Sequence, residues 1–116
     1  MYNFDMQTTN YLGLLPEITR RILSISDPEK IILFGSYARG ENDPDSDIDL
    51  LVIIKNIETP RAESNRLRRS LRGMLVPVDL IVATPEQIER YGNVVGYIYH
   101  TAIAEGKIVY ERPLAG

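Results

Sequence analysis

Residues 34–54 read FGSYARGENDPDSDIDLLVII, and the fold depends on this stretch. An apolar run ends in a Gly-Ser pair, and five acids at odd positions from 41 to 49 then lead into a second apolar run. The second run, residues 48–54, is apolar on both faces of a strand, which is typical of a strand inside a sheet. So much negative charge beside a core strand indicates either a solvated turn or a site for a positively charged ligand.

The composition narrows the class of protein. A chain of 116 residues fits one domain, and 44% hydrophobic with 25% charged residues is typical of a globular protein. The net charge of −3 argues against nucleic-acid binding through bulk charge, and the absence of cysteine excludes disulfides and thiolate chemistry. No apolar stretch approaches the roughly 20 residues of a membrane span, and the N-terminus does not resemble a signal peptide. We therefore expect a cytoplasmic protein.

Hydrophobic spacing and turn residues predict alternating helices and strands. Helices are predicted over residues 11–25, 84–91 and 94–104, with one helical turn at 36–39. Another helix is predicted to start at residue 60, with an apolar stripe of Leu67, Leu71, Met74 and Leu75. Thr8, Thr9 and Asn10 are the predicted caps of the first helix, and strands are predicted over 31–34, 48–54, 78–82 and 107–110. This alternation favours an α/β fold, a layered sheet with helices packed on it, as a single compact domain over residues 1–116 with 1–10 as a loose extension.

The acids of the opening stretch divide into two groups. Turn chemistry accounts for the first polar residues, Glu41, Asn42, Asp43 and Asp45. Asp47 and Asp49 project from the same face of a strand, with Cα atoms about 6.5–7 Å apart. Two carboxylates at this spacing repel each other unless a cation lies between them. The pair therefore indicates a cation site.

Calcium in an EF-hand does not fit the acids. An EF-hand loop that starts at Asp43 requires Gly and Glu where this chain has Ile48 and Ile54. Mg²⁺ prefers one or two carboxylates and completes its shell with water and phosphate oxygens. A strand-borne Mg²⁺ site is the better hypothesis.

A third acid, Asp79, lies in the apolar run PVDLIVA. We expect this carboxylate to be buried, at a cost of several kcal/mol unless it has a partner. The partner could be an arginine of the preceding helix, or a cation shared with Asp47 and Asp49 on a neighbouring strand. Three carboxylates could hold two Mg²⁺ ions about 3.5–4 Å apart, an arrangement used in phosphoryl and nucleotidyl transfer.

The Gly35-Ser36 pair is a candidate phosphate site. Gly35 allows the backbone to approach a ligand closely, the N–H groups of the turn that starts at Ser36 can face an anion, and the Ser36 hydroxyl can donate to a phosphate oxygen. Alone, the pair is typical of a tight turn, and a Walker loop is excluded because Gly-Lys-Ser/Thr is absent.

Gly35-Ser36, ten residues and then Asp47-x-Asp49, with Asp79 on a later strand, resembles the signature of the polymerase-β-like nucleotidyltransferase superfamily. The chain is most similar to the minimal nucleotidyltransferases, MntA-type antitoxins encoded beside a helical HEPN toxin. The likeness runs from about residue 15 to 110. It implies a nucleotidyltransferase-type mixed sheet.

The resemblance also implies roles for these residues. Asp47 and Asp49 would bind Mg²⁺, Asp79 would share the metal and help to deprotonate the acceptor, and Gly35 and Ser36 would hold the triphosphate. The implied reaction transfers AMP from ATP to a hydroxyl, expected to be a tyrosine, of the partner toxin and releases pyrophosphate. We expect the partner to present the acceptor, since a chain of this length has no room for an acceptor domain.

Two other functions stay open at this point. The protein could neutralise its partner by occlusion alone, or act on a small molecule with a separate acceptor-binding chain. The arginines after residue 60 could dock a partner or form a solvated helix face. Tyr91, Tyr97, Tyr99 and His100 are interpreted first as core and surface residues.

Overall fold

The computed structural model describes residues 11–114, so the predicted caps Thr8, Thr9 and Asn10 lie outside the described residues. The helices of this part are α1 Leu15–Ile25, α2 Gly35–Arg39, α3 Pro60–Ser70, α4 Pro85–Tyr91 and α5 Ile98–Glu105. Its strands are β1 Lys30–Phe34, β2 Ile48–Ile53, β3 Val78–Ala83 and β4 Lys107–Glu111. A 3-10 turn, Tyr11–Leu14, precedes α1, so the predicted first helix is confirmed with a tighter first turn. In the described part, no helix has both the length and the apolar composition needed to cross a membrane.

The four strands form one mixed sheet in the order β3-β2-β1-β4. β1 pairs antiparallel with β2 and with β4, whereas β2 pairs parallel with β3. β2 therefore lies in the interior, as its run of apolar residues predicts, and β3 lies at an edge. The predicted fold class, a mixed sheet with helices packed on it, is confirmed.

Successive side chains of β2 point to opposite faces of the sheet, so the core is divided into two clusters, one on each face. On the first face, Ile48, Leu50 and Val52 pack with Ile18 of α1 and Leu67 of α3. On the second face, the following residues form the core: Leu51 and Ile53 of β2, Ile32 and Phe34 of β1, Ala83 of β3 and Ala102 of α5. β2 is buried on both faces because helices cover both sides of the sheet.

The turn between β1 and β2 has the predicted chemistry. Gly40 ends α2 with φ +73, in the left-handed region that favours glycine. Asp43 Oδ1 accepts a hydrogen bond from the Asp45 N–H at 2.9 Å, and Glu41 forms an ion pair with Arg39 at 2.8 Å. Turn roles for Glu41 and Asp43 are thus confirmed, since both bond within or beside the turn.

Helix α3 is shorter than the predicted apolar stripe. It starts at Pro60 as predicted but ends at Ser70, and Leu75 is 93% exposed in the turn that follows. The prediction of Leu75 as a core residue is wrong, because the chain leaves the helix before this position can face the sheet. Ser64 occupies a core position instead, where its hydroxyl donates to the Leu80 carbonyl at 2.9 Å.

The last helix starts later than predicted. Residues 94–97 form turns, and α5 begins at Ile98 rather than at Val94. Gly96 has φ +98, which is outside the helical region and forces the chain to turn. By contrast, α4 matches its prediction closely, because Thr84 and Gln87 form a reciprocal capping box at its start.

Two leucines of the predicted stripe differ in burial, so they test whether burial or the sequence pattern determines the contribution to stability. Leu67→Ala is expected to lower the free energy of unfolding by about 2–5 kcal/mol, because Leu67 is fully buried between α1 and the sheet. Leu75→Ala is expected to change it by less than about 0.5 kcal/mol. Urea unfolding followed by circular dichroism measures both, and equal losses would contradict the placement of Leu75.

Candidate functional site

The end of β1 lies directly against the start of β2. Phe34, the last residue of β1, pairs with Asp49. The chain then passes through Gly35 with φ +77, and a Cβ placed on Gly35 would overlap Oδ2 of Asp49 and lie 3.0 Å from its Cγ. Glycine is required here for two reasons, the left-handed backbone and the close approach to the Asp49 carboxylate.

A second strand places another carboxylate beside Asp49. Asp49 and Asp79 are register partners in the parallel pair of β2 and β3, so their Cα atoms lie about 5 Å apart. Both project from the face that carries Leu51 and Ile53. Asp47 is exposed and precedes the first residue of β2 by one position. The predicted carboxylates thus come from the same end of two adjacent strands.

Asp79 differs from its prediction, since it is exposed and not buried. It is the second residue of an edge strand, so solvent reaches it both from the end and from the free side of the sheet. Within residues 11–114 it also forms no ion pair with an arginine of α3, the alternative partner considered from the sequence. The partly buried carboxylate of the group is Asp49.

The environment of Asp49 disfavours its negative charge. Burial raises the pKa of the Asp49 carboxyl above its ordinary value, and the charges of Asp79 and Asp47 raise it further. The positive charge of Arg39 opposes this shift in pKa. None of the three carboxylates has a hydrogen bond or an ion pair with another residue of the described range. The protein itself therefore leaves this negative charge largely uncompensated.

The donor types at this site fit a magnesium ion. The three side chains supply carboxylate oxygens, which are the protein ligands that Mg²⁺ prefers, and a cation would relieve the repulsion around Asp49. In the described part of the chain, no three acidic or histidine side chains converge closely enough to enclose a metal ion. Asp47, Asp49 and Asp79 thus line one end of the sheet without forming a closed set of ligands.

Helix α2 starts at the same end of the sheet. No side chain caps its N-terminus, and the Ser36 hydroxyl has no hydrogen-bond partner among residues 11–114. At the other end of α2, Arg39 pairs with Glu41 and also with Glu105 of α5 at 3.1 Å. These surface ion pairs lie at the end of α2 opposite to Ser36, and the buried side chains of Tyr37 and Ala38 anchor the helix.

Arg39 is absent from the predicted site residues, although its charge acts on Asp49. The one signal in the sequence is its place between Ser36 and Asp47 in the opening stretch. Its ion pair with Glu105, 66 residues away, has no local signature. A contact between residues so distant in sequence depends on how α5 packs across the sheet.

Two glycines with similar backbone angles provide a test of the contact between Gly35 and Asp49. Gly40→Ala should lower the free energy of unfolding by about 1–2 kcal/mol, because the only cost is its φ of +73 and nothing lies within 4 Å of the added Cβ. Gly35→Ala should lower it by about 2–5 kcal/mol, because overlap with Asp49 adds to the same backbone cost. Chemical denaturation measures both losses.

A third measurement isolates the contribution of the Asp49 carboxylate to the stability loss caused by Gly35→Ala. In an Asp49→Ala background, the loss caused by Gly35→Ala should fall toward that of Gly40→Ala, since Oδ2 and Cγ are gone and only the Cβ of residue 49, at 3.3 Å, remains close. If the loss is the same in both backgrounds, the strain does not come from Asp49.

The chain is similar to known proteins. It is 39% identical over 44 residues to a Methanocaldococcus jannaschii protein named as a candidate protein adenylyltransferase, a match that covers 38% of this chain and 44% of that protein. A second such protein of the same organism is 51% identical over 41 residues, covering 35% of this chain and 28% of the relative. The aligned stretches thus span less than half of the length of both relatives.

Solved structures share the fold. A candidate nucleotidyltransferase from Sulfolobus solfataricus superposes with a TM-score of 0.62 at 29% identity, covering 87% of this chain and 80% of that one. A toxin-antitoxin structure with AMP-PNP superposes with a TM-score of 0.58 at 21% identity, covering 83% and 73% of the two chains. The sequence profile of the nucleotidyltransferase domain matches residues 15–109. With its Gly-Ser turn, its strand carboxylates and this match over most of its length, the chain belongs to the nucleotidyltransferase domain family.

Proposed function

We propose that this protein transfers AMP from ATP to a tyrosine hydroxyl of a helical HEPN toxin and so acts as the antitoxin of a cytoplasmic toxin-antitoxin pair. Membership of the nucleotidyltransferase domain family supports the reaction class. The names of the two Methanocaldococcus jannaschii relatives support a protein as the acceptor. The toxin-antitoxin structure with AMP-PNP supports ATP as the donor and a toxin as the partner.

One observation carries the proposal, the contact of Gly35 with Asp49 beside the register partner Asp79. It brings a candidate phosphate-binding turn and partly desolvated carboxylates to the same end of the sheet. We assign Gly35 and Ser36 to the triphosphate, and Asp47, Asp49 and Asp79 to two Mg²⁺ ions. When bound, Mg²⁺ neutralises the negative charge that grows on the phosphate oxygens during transfer.

The proposed step is a displacement at the α-phosphorus of ATP. The acceptor hydroxyl oxygen forms a new bond to this phosphorus, the bond to the oxygen that bridges to the β-phosphate breaks, and pyrophosphate leaves. Asp79 is exposed at the free edge of the sheet, where an acceptor can reach it, so we assign it to receive the hydroxyl proton. The first turn of α2 and the Ser36 hydroxyl hold the phosphates in line.

A transfer assay tests the reaction. With ATP labelled on the α-phosphate, Mg²⁺ and the helical protein encoded beside it, the wild-type protein should label its partner. Asp49→Asn should lower the rate by about 100-fold or more, because it removes a charged ligand from the site. Asp45→Asn, the same substitution in the exposed turn, should keep the wild-type rate.

Other outcomes of this assay would favour the other functions. Tight binding of the partner without label, unchanged in Asp47→Asn, would contradict AMP transfer and indicate neutralisation by occlusion. Label on a small molecule rather than on the partner would indicate a small-molecule nucleotidyltransferase that needs a separate acceptor-binding chain.

A stability measurement tests the metal assignment without activity. Because the pKa of Asp49 is raised in the folded state, the ionised carboxylate destabilises the fold at neutral pH, and this cost disappears as the pH falls and the carboxyl becomes protonated. Without divalent ions, Asp49→Asn should therefore raise the free energy of unfolding, by about 1 kcal/mol or less since the group is partly solvated.

Added Mg²⁺ should remove or reverse the stability advantage of Asp49→Asn over the wild-type protein. It should raise the Tm of the wild-type protein and of Asp45→Asn, and leave the Tm of Asp49→Asn almost unchanged. A Tm that responds to Mg²⁺ equally in all three proteins would contradict binding at Asp49.

A further inference from the structure

Helix α3 and the turn after it carry positive charge that the described residues do not neutralise. The only acid of α3, Glu63, forms an ion pair with Arg66 at 2.7 Å. Four other arginines are exposed and have no carboxylate partner within residues 11–114, namely Arg61, Arg68, Arg69 and Arg72. On α1, by contrast, Arg20 and Arg21 both pair with Glu17. In a chain of net charge −3, the surface of α3 is a local excess of positive charge.

These arginines lie along the free edge of the sheet. Ser64 Oγ and Arg68 Nη2 both donate to the Leu80 carbonyl of β3, at 2.9 and 3.3 Å, which holds α3 beside the edge strand. Two grooves of about 570 and 710 Å³ run between the helix and the strand, and both are lined by Asn65 and Arg68. We call the two together the arginine groove. Arg69 and Arg72 line its first part and Arg61 its second.

The second part of the arginine groove reaches the face of the sheet from which Asp79 projects. It is lined by Ile81, two residues beyond Asp79 on the same face of β3, and by Tyr99, which packs on that face. Asp79 itself lines neither part of the groove. β3 has six residues, which corresponds to about 20 Å of extended chain. A segment of about this length that lies in the groove would run along the strand that carries Asp79 and would reach the face of Asp79 beside Ile81.

From this placement we propose that the arginine groove binds an acidic segment of the acceptor protein and delivers the acceptor hydroxyl beside Asp79. The inference rests on the proposed function, because it names the surface that recognises the acceptor. Charge complementarity selects an acidic occupant, since the groove is lined by four guanidinium groups that have no carboxylate partner within residues 11–114. Addition of a full β-strand is disfavoured, because Ser64 and Arg68 already occupy the Leu80 carbonyl on the free edge.

A binding experiment with a defined acidic probe tests this docking surface. The probe is a fluorescent random copolymer of glutamate and tyrosine, and its affinity for the full chain is measured by anisotropy at low and at high salt. The affinity of the Arg69→Ala/Arg72→Ala variant for the probe should be lower than that of the wild-type protein by about tenfold or more. The decrease of affinity with added salt should also be smaller in the variant. Neither side chain bonds to another described residue, so the fold should be retained, which circular dichroism checks.

Two exposed arginines outside the groove provide a matched control. The Arg20→Ala/Arg90→Ala variant has the same net charge as the groove variant, and neither residue lines the groove. It should bind the probe with wild-type affinity. Equal affinities of the groove variant and this control would overturn the proposal, because net charge rather than the groove would then account for binding.

The experiment separates this proposal from the proposed function. Asp49→Asn should bind the probe at least as tightly as the wild-type protein, because binding does not require transfer. Arginine-dependent binding supports the docking surface even where no AMP is transferred, a result that would count against the proposed function alone. Transfer to a partner that is unaffected by Arg69→Ala/Arg72→Ala, at limiting partner concentration, would overturn docking and leave the proposed function standing.

Two further outcomes would assign the groove to another occupant. Tighter arginine-dependent binding of an oligothymidylate than of the acidic copolymer would overturn the proposal in favour of a nucleic acid. A dimer in light scattering that dissociates in Arg69→Ala/Arg72→Ala would overturn it in favour of a second copy of this chain.

Discussion

The Asp49 carboxylate packs against the backbone of Gly35 at the end of the sheet where β1 and β2 pair, and the candidate site is built on this contact. The contact depends on the register in which Phe34 faces Asp49, and this register is set by the burial of β2 on both faces. A slip of one residue would exchange Asp49 with Leu50 or Ile48 and place a carboxylate in the core under α1 and α3. The core therefore enforces the position of the candidate site.

Two groups of charged side chains in this protein lack oppositely charged partners within residues 11–114, which leaves them available to ligands. Asp49 and Asp79 are register partners, and neither forms an ion pair within residues 11–114. Arg61, Arg68, Arg69 and Arg72 likewise have no carboxylate partner in the described part of the chain. Repulsion of this kind costs stability in the isolated protein and is relieved when a cation or an acidic segment binds. The same edge strand, β3, connects the two charged surfaces, because it carries Asp79 and its residues Val78, Leu80 and Ile81 line the arginine groove.

Local chemistry made much of the fold predictable. The start of α4 follows from Thr84, Pro85 and Gln87, and the exit of α2 follows from Gly40, since each depends on neighbours in the sequence. The failures occurred where local pattern and tertiary packing disagree. Leu75 has helical spacing from Leu67 but lies beyond the end of α3, and the apolar residues 94–97 belong to turns around Gly96. Apolar spacing alone does not locate the end of a helix.

For the candidate site, the sequence by itself determined the prediction of its residues: the glycine that allows close approach of the backbone, the pair Asp47 and Asp49 on one face of a strand, and a strand buried on both sides. Only the tertiary structure decided that Asp79 is the register partner of Asp49, that it is exposed, and that arginines of α3 line a groove along the same edge strand. The physical reason is that side-chain alternation and turn geometry are properties of neighbouring residues. Strand order and register arise from packing between residues far apart in the chain.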